Sequence, residues 1–508
     1  MLNKAEPANK NNSRALILLD DNLRINNNPL LFNALNNHNE AIIVFILNEQ
    51  DFRTRGQANK WFLHHCLKEF LHNLKKINLT MFFVNSADHF STEFSNAYLV
   101  KSICKEQKIS DIYCSLSFDR RSVKYFTELE NFCHNAKIRF CQFNLKTLIH
   151  PSKIKNKTEG VFKVFTPFWR NCLTAIKDLP ELTPSVSSIS KIATIPNSAF
   201  SSKFLHQDLN ILKLINHHQD WQKNLVKSWQ SFNEEEILQK SANFIATKAL
   251  NYQENRNFPA LDGTSKLSPF LALGVISPLQ ILHQIAHKFG NDSESYQQNI
   301  KVFISEIGWR EFAYYLLYHF PESDFRPVNP RFNNFPWQED QKLYQEHLQK
   351  WQKGRTGYPI VDAAMQELWL TGFMHNRTRM IVGSFLVKDL LINWQDGEKW
   401  FWDCLVDADL ASNIISWQWV AGCGADAAPY FRIFNPHLQS QKFDEEARYI
   451  RKFLPQLAHL DNATIHNLGE DVNAGLFSGK TPKNYFSPIV NHNQARQRAL
   501  SALKNLAN

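Results

Sequence analysis

The hydrophobic pattern of this chain has two regimes, and the switch between them restricts the fold more than any other feature. From Arg14 onward, short apolar runs alternate with stretches of helical period: "ALILL" (15–19), "AIIVFIL" (41–47), "LTMFFV" (79–84) and "DIYCSL" (111–116). Apolar runs of that length are strands buried on both faces, as in a parallel sheet. Between the second and third, "NKWFLHHCLKEFLHNLKKI" (59–77) puts Phe62, Cys66, Phe70 and Leu74 on one helical stripe. The first regime predicts an α/β domain over residues 1–145, a parallel sheet flanked by helices. From 146 to 217 the periodicity fades, and the Ser- and Pro-rich "DLPELTPSVSSISKIATIPNSAFSS" (178–202) reads as a long linker. After residue 218 the pattern is helix upon helix, as in "NIKVFISEIGWREFAYYLLYHF" (299–320), which predicts a large all-α domain over 218–508.

A chain of 508 residues is also too long for a single core. Its net charge of +9 suits a polyanionic partner such as nucleic acid as well as it suits a plain surplus of solvated Lys and Arg. The eight cysteines form no CxxC pair or zinc-like cluster, so neither a metal site nor a disulfide framework is expected. The early apolar run at 41–47 is too short to span a bilayer, and a cytoplasmic protein without a membrane partner is expected. No GxGxxG or Walker A loop follows the strands, which moves any nucleotide cofactor out of the first domain.

Four segments of the second half carry candidate chemistry. "DGTSKLSPFLALGVISP" (262–278) sets Thr264, Ser265 and Ser268 at a helix mouth, either as an anion site or as ordinary capping. In "HNRTRM" (375–380), Asn376, Arg379 and Met380 share a helix face that suits a mixed polar and aromatic ligand, or simply a surface Arg beside a core Met. "LVDADLASN" (405–413) places Asp407 and Asp409 before Asn413, suited to a ribose or a heteroaromatic N–H, and equally to capping. "FISEIGWREF" (303–312) aligns Glu306 with Trp309. Finally, Trp417 and Trp419 are two residues apart, about 200° around a helix, and cannot share a face.

Together with "GRTGYPIVDAAMQEL" and "WQWVAGCGADAAPYFRIFNP", these blocks closely resemble the DNA photolyase/cryptochrome family, and most of all its class I cyclobutane pyrimidine dimer photolyases. The blocks run in order from about 252 to 445, and "NYFSPIVNHNQARQRAL" (484–500) resembles the family's C-terminal end. The resemblance implies a helical domain holding FAD, with Tyr252, Thr264, Ser265, Leu267, Ser268, Phe303, Asn376, Arg379, Asp407, Asp409 and Asn413 around it. Asn413 would face flavin N5, and Phe303 stands where many relatives carry Trp. It further implies light-driven electron donation from reduced FAD to a dimer flipped out of UV-damaged DNA. Trp309 and Trp419 would wall the dimer, Met380 touch it, Asn376 lie beside it and Glu306 hydrogen-bond its bases. Arg256, Arg310, Arg377 and Arg432 would join Trp309 and Trp419 on the DNA side, and Trp417, Trp394 and Trp337 would relay electrons from the surface to the flavin.

The same comparison separates the rivals. A cryptochrome photoreceptor that binds FAD without repair is the alternative, but plant-type receptors carry Asp and animal-type ones Cys where Asn413 stands. Six-four photoproduct enzymes carry a histidine where Met380 stands. Around "IYCSLSFDRRSVKYF" (112–126) the Asn and Glu that would hold a folate antenna are absent, so folate is not expected, and a deazaflavin, another antenna or none remains open. A monomer is expected.

Overall fold

The computed structural model describes residues 13–49, 53–89, 96–189, 204–215, 220–290, 296–426, 431–469 and 485–507. Five strands form one parallel sheet in the order β3-β2-β1-β4-β5. They are β1 (Arg14–Leu19), β2 (Glu40–Leu47), β3 (Met81–Asn85), β4 (Asp111–Ser115) and β5 (Arg139–Phe143). Ile17 in β1 lies between Ile43 and Tyr113, deep in the sheet. The four strands expected from continuous apolar runs are the nearly wholly buried ones. The fifth, "RFCQF", sits at an edge with every residue half-buried, so it has no such run to reveal it. Helices cover the sheet, and Gln57–Lys76 presents the expected stripe of Phe62, Cys66, Phe70 and Leu74.

Beyond β5 the described residues are helical or irregular, which gives the α/β plus all-α architecture read from the sequence. The stretch expected to be linker is not featureless. It contains the helix Phe165–Ala175, which buries Phe165, Phe168, Trp169 and Cys172. Residues 190–203 of that linker lie outside the described residues. Among the described residues, no helix is long and apolar enough to cross a membrane.

The two regions share a core. Phe62 packs edge-on against Trp229 at 5.3 Å and Phe270 at 5.2 Å. Burying each such ring contributes on the order of 1.5–3 kcal/mol. Buried Arg24 donates to the Gly274 carbonyl at 2.8 Å, and Glu234 accepts the backbone N–H of Ile25 at 2.7 Å and of Asn26 at 3.0 Å. Gly274 has φ +64°, and a Cβ there would stand 2.4 Å from the Asp21 carbonyl, so the seam needs glycine. Around this seam the helix Gln298–His319 is buried on most sides and forms a central post of the helical region.

Candidate active site

The helix Leu410–Ala421 organises the site. Asp409 caps it, accepting from the Ser412 N–H at 2.8 Å, and Gly422 ends it in a left-handed turn. On one side Trp417 is buried in a slot floored by glycine. A Cβ on Gly397 would lie 2.2 Å from its ring, and one on Gly383 would lie 3.7 Å away. Phe401 meets the indole edge-on at 5.0 Å and Trp351 at 6.2 Å. Trp419, on the other side, is only half-buried. One turn before Trp417, buried Asn413 donates both amide hydrogens to Glu398, at 2.7 Å to a carboxylate oxygen and 3.0 Å to the backbone carbonyl.

Next to this helix, Asp407 joins two other elements. It accepts from the Ser268 hydroxyl at 2.6 Å and from the Arg379 guanidinium at 2.9 and 3.1 Å. Arg379 is in turn fixed by the Met374 carbonyl at 2.7 Å. Thr264 and Ser265 precede Ser268 and are half-buried, but the helix they introduce, Ser268–Ala272, has only five residues. Its dipole is correspondingly small, so hydroxyls and Arg379 rather than the helix carry any affinity for an anion. Leu267, Tyr252 and Phe303 are buried, the last two edge-on at 5.2 Å. Asp409 follows the capping alternative. Its second oxygen takes the Tyr314 hydroxyl, whose pKa burial drives well above the ordinary value, helped by the Asp409 charge.

Asn376, Arg379 and Met380 do lie on one helix, Asn376–Ser384, capped by His375. Asn376 is exposed and Met380 half-buried. The Arg377 guanidinium is held by Asn257, lies 4.2 Å over the Phe443 ring and approaches the Met380 sulfur at 3.9 Å. Glu306 ion-pairs with Arg256, and burial pushes its carboxyl pKa up while Arg256 pulls it down. Trp309 is 39% exposed, with one face stacked on Phe165 at 3.7 Å. Arg432 is exposed.

Arg310 departs from expectation. Its side chain is 12% exposed, donates to the Lys146 carbonyl and stacks 4.9 Å over Tyr314, so it faces the seam between the regions instead of DNA. One residue after Trp309 is about 100° around the helix, which turns it inward. Of the other expected relay tryptophans, Trp394 is 3% exposed at the start of Trp394–Cys404, and Trp337 is half-buried against Phe335 at 4.5 Å. Sequence reasoning missed Glu398, Phe165 and Tyr314. Phe165 opens an apolar stripe with Phe168, Trp169 and Cys172 that marks a helix, but its place beside Trp309, like those of Glu398 and Tyr314, comes from partners distant in the chain.

A parallel α/β region joined to a helical region with a polar, tryptophan-lined site defines a two-part α/β and all-α class, and known proteins narrow it. A family model for DNA photolyase matches residues 15–186, and one for the FAD binding domain of DNA photolyase matches 303–505. The deoxyribodipyrimidine photo-lyase of Agrobacterium fabrum is 37% identical over 94% of this chain and 95% of its own length. That of Escherichia coli is 34% identical over 80% of both. A bacterial class III photolyase from Agrobacterium tumefaciens superposes with a TM-score of 0.85 at 35% identity over 99% of each chain. A Synechocystis cryptochrome gives 0.81 at 25% identity, over 97% of this chain and 99% of its own. The chain belongs to the DNA photolyase family.

Proposed function

We propose that this protein is a deoxyribodipyrimidine photolyase that binds FAD and repairs cyclobutane pyrimidine dimers in DNA under light. The observation that carries the reading is the division of one helix: Trp417 buried between glycines one turn from Asn413, and Trp419 partly open on the opposite side.

The donor set fits FAD. Thr264, Ser265 and Arg379 answer phosphate, Asp407 answers a ribose hydroxyl or ring N–H, and Asn413 offers its amide oxygen to the flavin. Tyr252, Leu267 and Phe303 would offer the cofactor apolar contact and Asn376 a polar one, while Asp409 would act through the helix it caps. When bound and reduced, FAD supplies the light-driven electron that splits the dimer, and the electron returns afterwards with no net redox change. The protein's part is position and electrostatics. The free face of Trp309 and the half-open Trp419 stack the flipped bases, and Met380 fills the gap. The Glu306 carboxyl hydrogen-bonds a base and faces the charge developing on its carbonyl. Arg256, Arg377 and Arg432 meet phosphates around the lesion. Trp417, Trp394 and Trp337 would form the route for recharging oxidised flavin.

Action as a monomer remains part of this reading, and chromosomal DNA as substrate would place the protein in the cytoplasm at the nucleoid. A second chromophore remains open among a deazaflavin, another antenna and none. Binding in the dark tests the lesion pocket: duplex with one thymine dimer should bind at least about tenfold tighter than undamaged duplex. Equal affinity would remove the repair reading.

A further inference from the structure

The Glu398 carboxylate, on the helix Trp394–Cys404, meets the first part of the chain. Arg53 grips it with two prongs, at 2.6 and 2.8 Å, and the Glu398 side chain is 6% exposed. Arg53 itself is fixed in place. Its guanidinium lies 4.4 Å over the Trp402 ring, and the Trp402 indole N–H donates to the Thr54 carbonyl at 2.7 Å. Three residues further on, a Cβ at Gly56 would stand 1.9 Å from the Trp402 carbonyl, so the two backbones are in direct contact. The Gln57 N–H donates to Asp403 at 3.0 Å, and the Asn59 amide to the Val406 carbonyl at 3.2 Å. Residues 53–59 are thus seated along the end of the helix that carries Glu398.

We infer that Arg53 is a positioning residue for Asn413, acting through Glu398 to keep the Asn413 amide oxygen turned toward the flavin. The inference rests on the reading that Asn413 faces the flavin ring. Both Glu398 groups that meet Asn413 are acceptors, a backbone carbonyl and the carboxylate oxygen that Arg53 grips, so only the amide NH2 can face them. The oxygen must then point the other way. That selection lasts only while the Arg53 fork holds the carboxylate against the Asn413 amide. Without the fork the carboxylate loses its fixed orientation, and with it one of the two acceptors that turn the amide. Reduced flavin presents an N–H donor at N5 and oxidised flavin a bare acceptor there, so an outward oxygen favours the reduced form. Arg53, a residue of the α/β region, thereby biases the redox equilibrium of a cofactor held by the helical region.

The test is a redox titration of the FAD-loaded full chain as wild type, Arg53→Met, Arg53→Lys, Asn413→Ala and the Arg53→Met/Asn413→Ala double variant, with thermal unfolding of each as a check on folding. Arg53→Met should make the flavin harder to reduce, by about tenfold in the reduced-to-oxidised ratio at fixed potential, about 30 mV for a two-electron couple. Arg53→Lys, which keeps the charge but loses the fork, should fall between, and it carries the test if Arg53→Met does not retain flavin. In the Asn413→Ala background, Arg53→Met should add nothing, a non-additivity that a merely structural residue would not produce. A wild-type potential in Arg53→Met or Arg53→Lys, or additive shifts in the double variant, would overturn the inference. If Asn413→Ala itself left the potential unchanged, the placement of Asn413 at the flavin would fall, and the role of Arg53 with it.

Discussion

The α/β region and the helical region treat their buried polar groups differently. In the first, such groups are spent on the protein itself. Arg24 ends on the Gly274 carbonyl, His38 sits between Ser13 and Tyr113 at 3.0 Å from each, and Asp111 pairs with Arg139. In the second, Asn413 gives its amide hydrogens to Glu398 and keeps its oxygen, and nearby the exposed Trp309 is stacked on one face only. One region is a satisfied scaffold, while the other holds groups ready for a ligand. Substitutions should therefore cost stability in the first and chemistry in the second.

The widest split is expected between two buried tryptophans. Trp417→Phe should abolish light-driven reduction of oxidised flavin while pre-reduced protein repairs within about twofold of wild type, since packing is largely kept. Trp61→Phe, in the α/β core, should lower the melting temperature and leave photoreduction intact. Photoreduction assays on the two variants decide it, and equal behaviour would break the comparison.

Next comes the stacking wall. Trp309→Ala should weaken binding of dimer-containing DNA by about 10- to 100-fold, the worth of one aromatic–base stack. Affinity for undamaged duplex should change little in the same titration.

Two arginines sharpen the boundary. Arg432→Ala should lower the slope of log affinity against log salt by about one phosphate contact. Arg310→Ala should leave that slope alone and reduce thermal stability, because its guanidinium ends on the Lys146 carbonyl.

A further difference is confined to acid. Burial, with Arg379 and Arg377 nearby, lowers the His375 pKa to about 3 from the ordinary 6.5. The folded state thus prefers neutral His375, whose ring nitrogen caps the helix bearing Arg379 and Met380. Its contribution is fully present above about pH 6.5 and is lost as pH falls toward 3, on the order of a few kcal/mol at most. His375→Asn, which keeps a cap acceptor but does not titrate, should flatten that part of the pH–stability curve.

Much of this division can be read from sequence where a local pattern carries it. Strands β1 to β4 announce themselves because both faces are covered, whereas β5 mixes Arg139 and Gln142 into a half-exposed edge. The helix Phe165–Ala175 does carry a local pattern, Phe165, Phe168, Trp169 and Cys172 at i, i+3, i+4 and i+7, but it is a short run inside a stretch whose Ser- and Pro-rich remainder reads as linker. The opposed faces of Trp417 and Trp419 follow from helical rotation alone. Arg310 misled because adjacency to Trp309 in sequence is not adjacency in space. Glu398 gave no signal at all, because its partner Arg53 lies 345 residues away. Contacts made across such distances depend on the fold, and no window of sequence contains them.

Dimer repair is open to one direct measurement. Reduced, FAD-loaded protein is mixed with an oligonucleotide carrying a single thymine dimer and illuminated with blue light, with a dark sample alongside. The account predicts that the two thymines are restored in the light and not in the dark, and that Glu306→Ala slows the restoration. A dimer that stays intact under light, with flavin bound and reduced, would contradict it.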